Sequence, residues 1–201
     1  AFKDVAMQLL ARLMDHALAE RGERATIVGA TSGDTGGAAI DAFAGRERTD
    51  MFILFPHGRV SPVQQRQMTT SQAANVHALA IEGNFDDCQG LVKAMFNDHR
   101  FRDRMHLSGV NSINWGRIMA QIVYYVTAAR AVAPAGGPVS FTVPTGNFGN
   151  VLAGWYAKRM GLAVDQLVVA SNRNDVLARF FATGTLEART VEPSLSPSMD
   201  I

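Results

Sequence analysis

Apolar residues recur at Val5, Leu9, Leu10, Leu13, Met14, Ala17 and Leu18, the spacing of one face of a helix. Glu20 and Arg21 lead to Gly22, which fits a C-terminal cap. Thr26 to Ala30 is a short β-rich run, followed by Thr31-Ser32-Gly33-Asp34-Thr35-Gly36-Gly37 and an alanine-rich stretch that predicts a helix to about Ala44. Met51 to Phe55 reads as a buried strand, and Ser61-Pro62 supplies an N-cap and an N1 proline for a helix reaching Ala74. Val76 to Ile81 predicts a strand, Phe85 to Asn97 a helix, and Trp115 to Val132 a longer helix ended by Pro134 and the Gly136-Gly137-Pro138 break. A strand over Val139 to Val143, a helix over Asn150 to Met160, a strand over Gln166 to Ala170 and a helix over Asn174 to Phe181 complete the pattern. Strands that alternate with helices predict an α/β class: parallel sheets with flanking helices, joined by right-handed crossovers.

With 47% hydrophobic and 18% charged residues the chain can bury a core, which excludes a disordered tract. A formal net charge of +1 leaves no large field for nucleic acid or an anionic membrane, so any bound anion must be held locally. Neither nucleic acid nor membrane is expected as a partner. The single cysteine, Cys88, has no internal disulfide partner and fits a reducing compartment such as the cytoplasm. No apolar run approaches the ~20 residues of a membrane span. Helical periodicity begins directly after Ala1-Phe2-Lys3-Asp4, so a fragment of a longer protein is expected.

Ligands of doubly wound α/β folds gather where strands end and helices begin. Thr145-Gly146-Asn147-Phe148-Gly149-Asn150 occupies such a place, and its glycines let the backbone approach a phosphate with successive N–H donors. It lacks the lysine of a Walker loop and the spacing of the dinucleotide fingerprint, and a tight left-handed turn would select the same glycines. Ser32-Gly33-Asp34-Thr35-Gly36-Gly37 offers hydroxyls, a carboxylate and clustered N–H groups suited to a substrate carboxylate. Its alternative is an ordinary helix start capped by Asp34 or Thr35. Lys3 lies just before the first helix, where the macrodipole disfavours the ammonium form; this suits a lysine that must react as a free amine, although a solvated surface lysine would fit the position too. Asn111, Ser112 and Asn114 start another helix with Arg117 one turn inside, either a second anion site or a capping cluster with a surface arginine. The five histidines show no metal spacing, so no metal is expected.

In order and in spacing, Phe2-Lys3-Asp4, Ser32-Gly33-Asp34-Thr35-Gly36, Ser61-Pro62, Asn111-Ser112-x-Asn114-x-x-Arg117, Pro144-Thr145-Gly146-Asn147-Phe148-Gly149-Asn150 and Ser196-Pro197-Ser198-Met199-Asp200-Ile201 resemble the bacterial- and fungal-type threonine synthases. These are fold-type II pyridoxal-phosphate enzymes with a tryptophan-synthase-β-like architecture, and the resemblance runs the whole chain. It implies residues 1–25 and 134–201 as parts of a large cofactor domain and 26–133 as a smaller α/β domain in a monomer or homodimer. It also implies conversion of O-phospho-L-homoserine and water to L-threonine and phosphate, with pyridoxal 5′-phosphate carried on Lys3. Gly146, Asn147, Phe148, Gly149 and Asn150 would cradle the cofactor phosphate, and Asp34 would lie near the pyridine 3′ oxygen, where many related enzymes carry asparagine. Ser32, Thr35 and Gly36 would take the substrate carboxylate, and Asn111, Ser112 and Arg117 the substrate phosphate. The resemblance sets the family's hydroxyl partner for the pyridine nitrogen outside these residues. A serine/threonine dehydratase of the same fold and a non-catalytic phosphometabolite-binding module are the competing readings.

Overall fold

The computed structural model describes residues 2–111, 114–146, 148–187, 189–192, 194–196 and 199–200. Contacts within the chain divide it into two compact units, Ala1–Arg117 and Ile118–Ile201. The first contains α1 (Phe2–Arg21), β1 (Ala25–Ala30), α2 (Asp34–Phe43), β2 (Thr49–Pro56), α3 (Pro62–Thr69), β3 (Val76–Ile81), α4 (Phe85–Asn97), α5 (His99–Arg104) and β4 (Leu107–Ser108). Its strands form one parallel sheet in the order β3-β2-β1-β4, with Ile27 opposite Met51 and Thr26 opposite Leu107.

Successive side chains of a strand point to opposite faces, and here both faces are covered. Ile27, Met51, Ile53 and Phe55 pack with Met7, Leu10 and Ala11 of α1 and with Ala38, Ala39 and Phe43 of α2. Val28 and Leu54 form a second cluster with Cys88 of α4. This two-sided burial explains why β1 and β2 read as continuous apolar runs. The helix expected to reach Ala74 stops at Thr69, where the hydroxyls of Thr69 and Thr70 donate back to the carbonyls of Gln65 and Arg66. Side-chain bonding of this kind competes with helix continuation. Neither α5 nor the two-residue β4 was expected; both are too short to carry a period.

The division between the units falls inside α6 (Trp115–Val132). The second unit continues with β5 (Val139–Pro144), α7 (Gly149–Arg159), β6 (Val164–Ala170) and α8 (Val176–Thr183). β5 and β6 pair in parallel as a separate sheet, Val143 opposite Val169. Ile118, Ile122 and Tyr125 pack with Val143 of β5 and with Val151, Ala153 and Ala157 of α7. β6 begins two residues earlier than expected and α8 two residues later, at Val164 and Val176. Gly184, at φ 74°, ends α8 in a left-handed cap. No helix among the described residues is long and apolar enough to cross a membrane.

Candidate active site

In the first unit the chemistry gathers where β1 gives way to α2. Thr31, only 3% exposed, takes two loop amides: its Oγ1 accepts from Gly33 N at 3.0 Å and from Gly36 N at 2.9 Å. Gly33 caps α2 at φ 144°, with no side-chain cap bond. The alternative reading of this loop, a helix start capped by Asp34 or Thr35, does not hold. Both lie in its first turn, beyond the cap position, and the loop is tied down from the strand side by Thr31. Ser32, Thr35 and Gly36 sit together on this one turn, so their backbone groups converge on the same helix start.

Lys3 lies within the first turn of α1 and not before it. Its side chain is 11% exposed, and Nζ stands 3.6 Å from Asp34 Oδ2. Burial drives the Lys3 pKa below the ordinary lysine range; Asp34 opposes this shift and the nearby Arg117 guanidinium adds to it. The downward direction matches the sequence expectation, but burial leads, where the helix dipole was expected to. Asp34 divides its oxygens, since Oδ1 accepts from Gln64 Nε2 at 2.8 Å.

Arg117, 3% exposed, donates through Nη1 to the Val110 carbonyl at 3.1 Å, so it is a buried cation held by backbone and not a surface arginine. Asn111 is exposed, and its carbonyl accepts from the N–H of Asn114, three positions on, at 3.1 Å. Ser112 lies outside the described residues. Lys3, Asp34 and Arg117 are thus brought together in this unit, with the Ser32–Gly36 turn attached through Asp34.

The glycine loop of the second unit follows β5 and opens α7. Thr145 N donates to the Ala170 carbonyl at 2.9 Å and its hydroxyl to the Val143 carbonyl at 2.8 Å, which fixes the loop to both strands. Gly146 and Gly149 are buried, Phe148 is the N-cap, Asn150 is in the first turn, and Asn147 lies outside the described residues. Tyr125 Oη lies 2.8 Å from the Asn150 carbonyl and 3.0 Å from its Oδ1, and burial pushes its pKa up to about 12. The hydroxyl therefore stays protonated and donates, orienting Asn150. Tyr125→Phe is expected to cost about 1 kcal/mol of stability and to weaken pyridoxal-phosphate binding by the full-length protein several-fold. Denaturant unfolding and cofactor titration measure both, and unchanged values would remove Tyr125 from the site.

Thr31 was named within the loop in the sequence reading but given no role, and Gln64 and Tyr125 were absent from it. Gln64 had a legible signal, because Ser61-x-x-Gln64 is a capping box. Tyr125 had none, since a helical tyrosine reads as core. Among the described residues no group of three or more His, Cys, Asp or Glu is placed to hold a metal ion.

A pyridoxal-phosphate aldehyde needs an amine that gives up its proton near neutrality, and its phosphate needs convergent N–H donors. The buried Lys3 amine and the glycine start of α7 each fit one of these requirements. The pattern of the pyridoxal-phosphate dependent enzymes matches residues 1–201. A threonine synthase from Pseudomonas aeruginosa is 59% identical over the whole chain, which covers 43% of that relative. A structure of pyridoxal-phosphate-bound threonine synthase from Brucella melitensis matches at TM-score 0.94 and 69% identity, over all of this chain and 43% of that one. The yeast threonine synthase structure matches at TM-score 0.92 and 45% identity, over all of this chain and 41% of that one. The α/β architecture of parallel sheets with flanking helices is that of fold-type II enzymes, and the chain spans less than half the length of these relatives. A match along every residue, on a fold whose buried lysine and glycine-opened helix suit the same cofactor, means that the chain belongs to the pyridoxal-phosphate dependent enzyme family.

Proposed function

We propose that the protein to which this chain belongs is a threonine synthase, a carbon–oxygen lyase acting on phosphate that converts O-phospho-L-homoserine and water to L-threonine and phosphate. The observation that carries this reading is the Lys3 amine, buried, lowered in pKa and within 3.6 Å of Asp34. Pyridoxal phosphate, when bound, supplies an electron-withdrawing ring that stabilises negative charge on the substrate carbons. Lys3 Nζ would hold the cofactor, and the same amine would take and return the protons at the substrate's α and β carbons. Asp34 balances charge at Lys3 and would face the pyridine 3′ oxygen of the cofactor. Gly146, Asn147, Phe148, Gly149 and Asn150 hold the cofactor phosphate. Ser32, Thr35 and Gly36 orient the substrate carboxylate. Arg117, with Asn111 and Ser112, binds the phosphate that leaves, its guanidinium meeting the growing charge on the oxygens.

In the whole protein, residues 1–25 and 134–201 are assigned to the large cofactor domain and 26–133 to the smaller one, in a cytoplasmic monomer or homodimer. Within this chain alone, α1 shares a core with α2.

The full-length protein with its cofactor is expected to release phosphate and form threonine in equal amounts from O-phospho-L-homoserine, with no ammonia from threonine. Ammonia without phosphate release would make it a dehydratase. Binding of ATP with no uptake of pyridoxal phosphate would make it a binding module.

A further inference from the structure

Gln64, at the third position of α3, spans two structures through one side-chain amide. Its Nε2 donates to Asp34 Oδ1 at 2.8 Å, and its Oε1 accepts from Ser61 N at 3.2 Å, while its own N–H donates to Ser61 Oγ at 3.2 Å. An amide has one accepting end and one donating end, so the Ser61 N–H on one side and the Asp34 carboxylate on the other fix its orientation. The backbone closes on the same group: a Cβ at Gly33, which sits at φ 144°, would collide with the Gln64 carboxamide. Glycine at this position therefore serves the approach of the loop to Gln64 as well as the turn. The Asp34 side chain is 40% exposed, so its ion pair with Lys3 is partly screened by solvent and a further hydrogen bond adds to what holds its rotamer. The bond from Gln64 adds a neutral restraint on Oδ1 and leaves Oδ2 directed at Lys3.

We propose that Gln64 is a positioning residue of the Lys3 site: held at its Oε1 by the Ser61 backbone N–H, it fixes the Asp34 carboxylate that faces the Lys3 amine. The inference rests on reading Lys3 as the cofactor-bearing lysine. The charged groups acting on that amine are Asp34 from α2 and Arg117 from α6. Without Gln64, Asp34 swings toward water, Lys3 loses the charge that favours its ammonium form, and more free amine is present. With glutamate at this position a second carboxylate enters, and less free amine is present.

The test uses full-length protein freed of cofactor, in wild-type, Gln64→Leu, Gln64→Glu and Ser61→Ala forms. The rate at which an acylating reagent modifies Lys3 is followed by peptide mass spectrometry at one mildly alkaline pH. Gln64→Leu is expected to react at least about threefold faster and Gln64→Glu at least about threefold slower, which corresponds to half a pKa unit each way. Ser61→Ala, which removes the cap hydroxyl but spares the bond to Asp34, is expected to stay within about twofold of wild type. A merely structural role would move both Gln64 variants in one direction and Ser61→Ala with them; that pattern, or any other than the expected one, overturns the proposal. Failure of the underlying reading shows separately, as wild-type holoenzyme in which borohydride fixes no cofactor to Lys3.

Discussion

Lys3→Ala in the full-length protein leaves no cofactor fixed by borohydride on the α1 peptide and lowers phosphate release from O-phospho-L-homoserine by about 10³-fold or more. Lys3 is the amine that burial and Arg117 together push toward the neutral form, and alanine supplies neither the bond to the cofactor nor a proton carrier. Retention of the visible chromophore in Lys3→Ala would falsify the assignment. A second consequence concerns the cofactor-free protein. The folded pKa of Lys3 lies below its unfolded value, so between the two the unfolded chain binds more protons and stability rises with pH. Below the folded pKa the native state carries the full cost of a disfavoured ammonium. Lys3→Met is therefore more stable than wild type at neutral pH, by a margin that shrinks as pH climbs toward the ordinary lysine value. Unfolding midpoints at several pH values test this directly.

Gly36→Ala is the second large effect, and it acts without touching any charged group. A Cβ on Gly36 would meet Thr31 Cγ2 at 2.5 Å, Met68 Sδ at 2.7 Å and Ile53 Cγ2 at 3.0 Å. Met68 and Ile53 are core residues, so the methyl group has no exit toward water. Overpacking of this kind costs about 1–3 kcal/mol. The functional damage comes through Thr31. Once its methyl group is displaced, its hydroxyl can no longer accept from both Gly33 N and Gly36 N, and the turn bearing Ser32 and Thr35 loosens. The expected result is a lowered unfolding midpoint with KM for O-phospho-L-homoserine raised about tenfold, because misplacement of a binding turn by an ångström weakens every contact it makes. Wild-type stability and KM in this variant would show that the loop tolerates the methyl group.

The elements that the sequence made legible are those whose burial imposes a period. The helical period of α1 was legible but its buried face was not, since Val5, Leu9 and Leu13 of the expected stripe are exposed and Met7 and Ala11 join Leu10 in the core; β1 and β2 show continuous apolar runs because helices cover both faces. α5 and β4 escape because six and two residues are too few to repeat anything. The α3 boundary was overrun because nothing in helix propensity reveals that two threonines will bond backward and stop the turn. Within the site, the glycine loops could be found by their position between strand and helix. The pairing of Lys3 with Asp34, and of Asp34 with Gln64, could not, because each partner is distant in sequence and joined only by the stacking of α1, α2 and α3 on one sheet face. Arg117 shows the same limit: its spacing suggested an anion contact or a surface residue, and only the fold reveals a buried guanidinium.

The sheet order β3-β2-β1-β4 puts β1 between one neighbour close to it in sequence and one far from it. β1 finds β2 across a single helix, but its other edge waits for β4, where Thr26 pairs with Leu107 and Thr26 N donates to the His106 carbonyl at 3.1 Å. That edge requires the closure of a loop holding nearly the whole unit, whose entropic cost must be met before the pairing rewards it. The segment from Thr31 to Gly37 thus follows a strand whose second neighbour is supplied only at the far end of the unit. Until Leu107 is in place one edge of β1 lacks its partner in this sheet, so the end of this unit that carries Asp34 is also where its folding is most exposed to error.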